Sequence, residues 1–107
     1  MEIECVIVWT TIGASTDWQK LATILVTERL AACVNVLGEM ESTYRWNGQI
    51  EIDRERQMFM KTTADRVPAL KARLHALHDY EVPEFVVLPI VGGSDAYLQW
   101  IRESAAG

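Results

Sequence analysis

His75 and His78 lie three positions apart, and Asp79, Glu81 and Glu84 follow close behind. On a helix that spacing presents both imidazoles on one surface, where they can share a metal ion. The carboxylates would add oxygen ligands suited to a borderline cation, since metal sites usually recruit three or four donors. The competing reading is a polar helix end whose histidines are simply solvated. Cys33 offers softer chemistry: a thiolate suits copper, although a cysteine in an apolar run is also an ordinary buried hydrophobe. Glu55 and Lys61 are a third candidate, a polar pair able to line a cleft between subunits and hold a small ligand. Alternatively, Lys61 lies along apolar surface with its charge in water while Glu55 pairs with a nearby base. Neither G-x-S-x-G nor a phosphate-cradling G-x-x-x-x-G-K-[ST] occurs, so a non-enzymatic protein is expected.

Half of the 107 residues are hydrophobic and 23% are charged, the balance of one soluble domain spanning residues 1–107. Fifteen acids against ten bases give a net charge of −5 with no basic cluster. That disfavours nucleic acid and anionic membranes and leaves metal cations or basic partners. No apolar run approaches the ~20 residues of a membrane span, and the opening MEIECVIVWTT has no basic leader. A cytoplasmic protein is expected. Cys5 and Cys33 are too few for a disulfide framework, so both are expected as reduced thiols.

The elements that must position these groups follow from periodicity. Ile3 to Thr10 is an almost unbroken apolar run, the pattern of a mid-sheet strand covered on both faces. Thr16 with Gln19 fits a capping box, opening a helix in which Trp18, Leu21, Ala22, Leu25 and Val26 share a face to about Ala31. Cys33 to Trp46 and Gln49 to Thr62 flank Asn47-Gly48, the pair that favours a two-residue type I′ turn. Such a turn makes paired positions sum to 95, setting Glu41 opposite Arg54 and Glu39 opposite Arg56, two pairings of opposite charge. A second helix starts near Thr63 to Asp65, accepts Pro68 in its first turn and aligns Val67, Leu70, Leu74 and Leu77. Phe85 to Leu88 reads as a strand between prolines, and Ser94 or Asp95 caps a last helix carrying Tyr97, Leu98 and Ile101. The order β-α-β-β-α-β-α is that of a ferredoxin-like α+β sandwich with an extra C-terminal helix.

Fourteen residues from Cys33 to Trp46 make a strand of roughly 45 Å, whereas a domain of this length is only about 35 Å across. The hairpin should therefore overrun its own domain. Met40, Ser42, Tyr44 and Trp46 share one of its faces, so the overrun carries an apolar, aromatic stripe into water unless something covers it. The simplest cover is another copy of the chain, with Met40, Tyr44 and Trp46 in a homo-oligomer interface. The alternative is a bulge that curls the hairpin back over its own sheet. The same register puts Glu55 and Lys61 on the face of Tyr44 and Trp46.

Several stretches together resemble the CutA divalent-cation tolerance family: ERLAACVN (Glu28 to Asn35), YRWNGQI (Tyr44 to Ile50), Glu55 to Thr62, LHDYEVPE (Leu77 to Glu84), LPI (Leu88 to Ile90) and YLQWI (Tyr97 to Ile101). They stand in the family's order across nearly the whole chain. The resemblance implies a ferredoxin-like homotrimer, PII-like in architecture, with long hairpins pairing between subunits. It implies a role in tolerance of divalent metals, copper(II) especially, with no required cofactor, and an association of animal members with acetylcholinesterase anchoring. It favours His78 and Glu84 as the metal ligands, beside which Cys33 stays a candidate, and Tyr80 joins Glu55 and Lys61 as an expected residue of the inter-subunit cleft. A PII-like regulator that binds a small ligand in that cleft is the alternative function. One departure is Asp79, which stands where the family usually has proline and is expected to loosen the turn after the second helix.

Overall fold

The computed structural model describes residues 3–107; Met1 and Glu2, part of the opening read above as leader-free, lie outside the described residues. Along the chain come β1 (Cys5–Gly13), α1 (Trp18–Thr27), β2 (Cys33–Trp46), β3 (Gln49–Thr63), α2 (Val67–Leu77), β4 (Val86–Pro89) and α3 (Asp95–Ser104). This is the expected order. The strands form one antiparallel sheet in the order β2-β3-β1-β4, which puts β1 inside the sheet as its sequence demands.

Period-two alternation sends Val6, Val8, Ile12, Met58 and Met60 to one face, where Leu21 and Leu25 of α1 and Leu70 and Leu74 of α2 bury them. Arg73 of α2 forks onto both oxygens of Glu28, at 3.0 and 2.9 Å, tying the second helix to the end of the first. The opposite face is covered at one end only, where Ile101 of α3 packs on Cys5 and Ala32. Ile7 and Trp9 are consequently half-buried rather than covered on both faces, because α3 stops short of them. Trp9 stacks on Phe59 with ring centroids 5.4 Å apart, and Val86 and Leu88 of the neighbouring strand are 46% and 42% exposed. An apolar, aromatic sheet face is left open.

Helix boundaries differ where side chains outcompete the expected signal. Asp17, not Thr16, caps α1 by accepting from the Lys20 amide, while Thr16 reaches across to Asp79. That contact ties down the turn that Asp79 was expected to loosen. The helix ends at Thr27 rather than Ala31 because Arg29 turns left-handed at φ 57°, a stop with no glycine to announce it. Ser94 caps α3 as expected, accepting from the Tyr97 amide.

The hairpin tip has positive φ at both Asn47 (49°) and Gly48 (76°), as a type I′ turn requires. Gly48→Ala forces a side chain into that left-handed position, and the urea midpoint should fall by an amount equivalent to about 1 kcal/mol. From Trp46↔Gln49 to Glu39↔Arg56 the pairs sum to 95; beyond a bulge between Val36 and Glu39 the register shifts by one. Both expected charge pairs are in register, yet Glu39 takes both arginines, Arg54 at 2.9 Å and Arg56 at 3.7 Å. The diagonal suits the longer side chain, and among the described residues Glu41 joins no ion pair. The molecule measures 47 × 26 × 24 Å, and both strands near the tip are exposed, as an overrunning hairpin should be.

Candidate functional site

The stripe of Met40, Ser42, Tyr44 and Trp46 does not stand alone in solvent. The segment from Tyr80 to Glu84, between α2 and β4, faces it across a cleft of about 630 Å³, whose floor carries Thr11, Glu55 and Gln57. Alternation along β3 puts Glu51, Asp53 and Glu55 on the cleft side of the hairpin, because Met40, Ser42 and Tyr44 pair with Glu55, Asp53 and Glu51.

His78, outside the lining, anchors the far wall. It is the C-cap of α2 and already extended (φ −81°, ψ 143°), so it leaves the helix that carries His75. Its Nε2–H donates to the Thr11 carbonyl at 2.7 Å, and its Nδ1 accepts from the Tyr80 amide at 3.1 Å. The ring also packs against Tyr80, with centroids 4.7 Å apart. These contacts clamp the segment onto β1 and aim Tyr80 at the sheet, where its hydroxyl donates to Glu55 Oε2 at 2.6 Å. Glu55 is 6% exposed, and no ion pair among the described residues includes it. Nearer the tip, the Tyr44 hydroxyl donates to Asp53.

The two phenols answer to these carboxylates. Burial, and then the bond to Glu55, push the Tyr80 hydroxyl well above the ordinary tyrosine range. The bond to Asp53 comes first in lifting Tyr44 to about 12. A folded-state pKa above the unfolded value of about 10 gives stability that is complete below pH 10. It is lost as pH climbs through the folded value. Tyr80→Phe should therefore cost about 1–2 kcal/mol at neutral pH and flatten the alkaline decline in urea midpoint measured above pH 10.

The sequence candidates separate in space. Glu55, Tyr80 and Glu84 line the cleft together with Met40, Tyr44 and Trp46. Lys61 shares the face of Glu55 but lies six residues along β3, roughly 20 Å away. There its Nζ reaches the Tyr97 hydroxyl at 3.1 Å and sits 5.8 Å from the Phe59 ring centre. Cys33 pairs with Lys61 at that same end and points its thiol at Asn35 Oδ1, whereas His78 meets β1 where Thr11 pairs with Gln57. His78, Glu84 and Cys33 are thus not one ligand set. The helix ends at Leu77, so the expected His75 and His78 surface does not form; His75 instead turns its Nδ1 to the Lys71 carbonyl. Among the described residues no group of three or more His, Cys, Asp and Glu side chains is gathered to hold a metal. Sequence reasoning missed Asp53, Gln57 and Glu81 as cleft neighbours, though β3 alternation alone would have put Asp53 and Gln57 beside Glu55.

Among the described residues, a four-stranded antiparallel sheet with three α-helices, an overrunning hairpin and a cleft beside it define a small α+β protein. The chain belongs to the CutA1 divalent ion tolerance protein family, whose model matches residues 6–104. It is 49% identical over 86 residues to the divalent-cation tolerance protein CutA of Thermus thermophilus, covering 80% of this chain and 84% of that one. Against human protein CutA it is 44% identical over 85 residues, 79% of this chain and 48% of the human one. The Arabidopsis thaliana relative, named chloroplastic, is 39% identical over 102 residues, 95% of this chain and 56% of its own length. The chain thus spans about half the length of its plant and human relatives. The crystal structure of CutA1 from Shewanella sp. SIB1 superposes with a TM-score of 0.91 at 36% identity, covering both chains fully.

Proposed function

We propose that this protein serves divalent-metal tolerance as a cytoplasmic, non-catalytic homotrimer of ferredoxin-like, PII-like subunits, and that its cleft is where cations are met. The observation that carries the reading is the cleft lining: Glu55, Glu81 and Glu84 contribute carboxylates and no Lys, Arg or His joins them. The sheet order β4-β1-β3-β2 supports the ferredoxin-like reading, and the open face around Trp9 and Phe59 supports assembly from copies of the chain. Three copies is what the family resemblance implies. Reduced Cys5 and Cys33 suit a reducing compartment, and no helix among the described residues is long and apolar enough to cross a membrane.

Divalent ions such as copper(II) then bind weakly, through Glu84 and Glu81 at the cleft mouth with water completing the shell, rather than through His78 and Cys33. Calorimetric titration of metal-free, reduced protein with copper(II), zinc and magnesium tests this. Binding should weaken at least tenfold when Glu81 and Glu84 are both changed to Gln, and should not respond to Cys33→Ser. Tight, copper-selective binding abolished by Cys33→Ser would overturn it.

A second reading is favoured by the aromatic rings, which a metal ion does not need. A PII-like regulator would take a small organic ligand between Tyr44, Trp46 and Tyr80.

A further inference from the structure

The cleft has two properties that no bare metal ion uses together. Three aromatic side chains, Tyr44, Trp46 and Tyr80, converge on it, and the apolar groups of Met40, Val82 and Pro83 extend the same lining. A volume of about 630 Å³ lies within the usual range of roughly 300–1,000 Å³ for small-molecule sites. Glu55 has the electrostatics of an unfinished pair. It is a carboxylate at 6% exposure whose hydrogen-bond partner, the Tyr80 phenol, is not a cation. A carboxylate withdrawn from water is costly unless a positive charge or several hydrogen bonds compensate it.

From the acidic lining, the ring faces and the methylene-sized apolar strip, we propose that the cleft is a binding site for an aliphatic ammonium compound of the polyamine class. The proposal rests on the small-ligand reading above. An anionic metabolite, a nucleotide included, would meet Glu55, Glu81 and Glu84 with no base to offset them. An ammonium group supplies the missing counter-charge at Glu55, its methylene chain lies along Met40, Val82 and Pro83, and a second ammonium reaches the carboxylates of Glu81 and Glu84. Aromatic faces attract such cations through the ring quadrupole, and Trp does so best. Tyr44 and Tyr80 hold their hydroxyls on Asp53 and Glu55, which keeps two of the rings in fixed orientation.

Spermidine is the probe, titrated calorimetrically into metal-free, full-length protein at 0.15 M salt. One saturable site per subunit is expected. Trp46→Ala, which leaves the net charge of −5 unchanged, should weaken it at least tenfold, and Glu55→Gln should do the same. Trp46 is 40% exposed near the hairpin tip, so its truncation opens no core cavity. Light scattering establishes that each variant keeps the wild-type mass; should Trp46→Ala lose it, Tyr44→Leu, which also removes a lining ring without changing the charge, replaces it in the comparison. Spermidine binding that is equal in wild type and Trp46→Ala would mark diffuse attraction to an acidic surface and overturn the proposal, as would no binding. A parallel thermal-shift screen of neutral and anionic metabolites separates the two levels. A compound that stabilises wild type but not Trp46→Ala would overturn the amine class and keep the cleft as a ligand site. Failure of spermidine together with every screened compound would overturn both. A basic peptide that outcompetes spermidine at equal charge would replace the small amine with a protein partner.

Discussion

If the proposed assembly forms through the open sheet face, Phe59→Asp will reduce it to a single chain of 12.1 kDa by light scattering at dilute concentration, and the wild type is expected to scatter at a multiple of that mass. Phe59 sits near the centre of the sheet face that helices leave open, stacked on Trp9 and flanked by Val86 and Leu88 across β1. Its neighbours in sequence, Met58 and Met60, point the other way and are fully buried under α1 and α2. The substitution therefore spares the core of the single chain. In an assembly the new carboxylate would be desolvated at an interface centre, with the Lys61 ammonium, already bonded to the Tyr97 hydroxyl, as the cation beside it, at a cost of several kcal/mol per contact. Every ~1.4 kcal/mol is tenfold in the dissociation constant, so a shift of at least a thousandfold is expected. An unchanged mass would move the interface to the hairpin tip, where Ile50 and Ile52 are 59% and 60% exposed.

The open sheet face also separates what is local in the sequence from what is not. Asn47-Gly48 is a local signal, because positive φ at two adjacent positions admits few residues, and it brought the register of the outer hairpin with it. The bulge between Val36 and Glu39 was equally local: Gly38, inside a strand, is the usual mark of one, and the two-residue arithmetic passed over it. The burial of β1 was not local. An apolar run shows that both faces avoid water, but whether a helix or a second copy covers Ile7 and Trp9 depends on the length of α3, far along the chain. The cleft was half legible. Glu55 and Tyr44 could be placed on one face by alternation, whereas Tyr80 meets Glu55 only because the chain leaves α2 at Leu77 and doubles back over β1. Lys61 shows the converse: sharing a face is not sharing a site when six strand residues intervene.

His78→Ala will destabilise the fold by about 2 kcal/mol, seen as a lower urea midpoint at fixed protein concentration, without removing a metal ligand. The imidazole is used at both nitrogens by backbone groups, Thr11 on β1 and Tyr80 in the following segment, so truncating it strands a carbonyl and an amide that were satisfied. Nδ1 has given its lone pair to the Tyr80 amide and Nε2 carries the proton that Thr11 accepts; neither is open to a cation while the clamp holds. The structural role makes a second expectation. Once the clamp is gone, Tyr80 is no longer held over Glu55, so its phenol should titrate closer to the ordinary value near 10, read as phenolate absorbance against pH. A metal ligand would behave otherwise: copper affinity would collapse, the urea midpoint of the metal-free protein would hardly move, and the phenol would titrate as before. His78→Gln, which keeps a side-chain donor and acceptor on a flexible stem, should recover part of the stability. The two roles of the same imidazole thus predict opposite pairs of results.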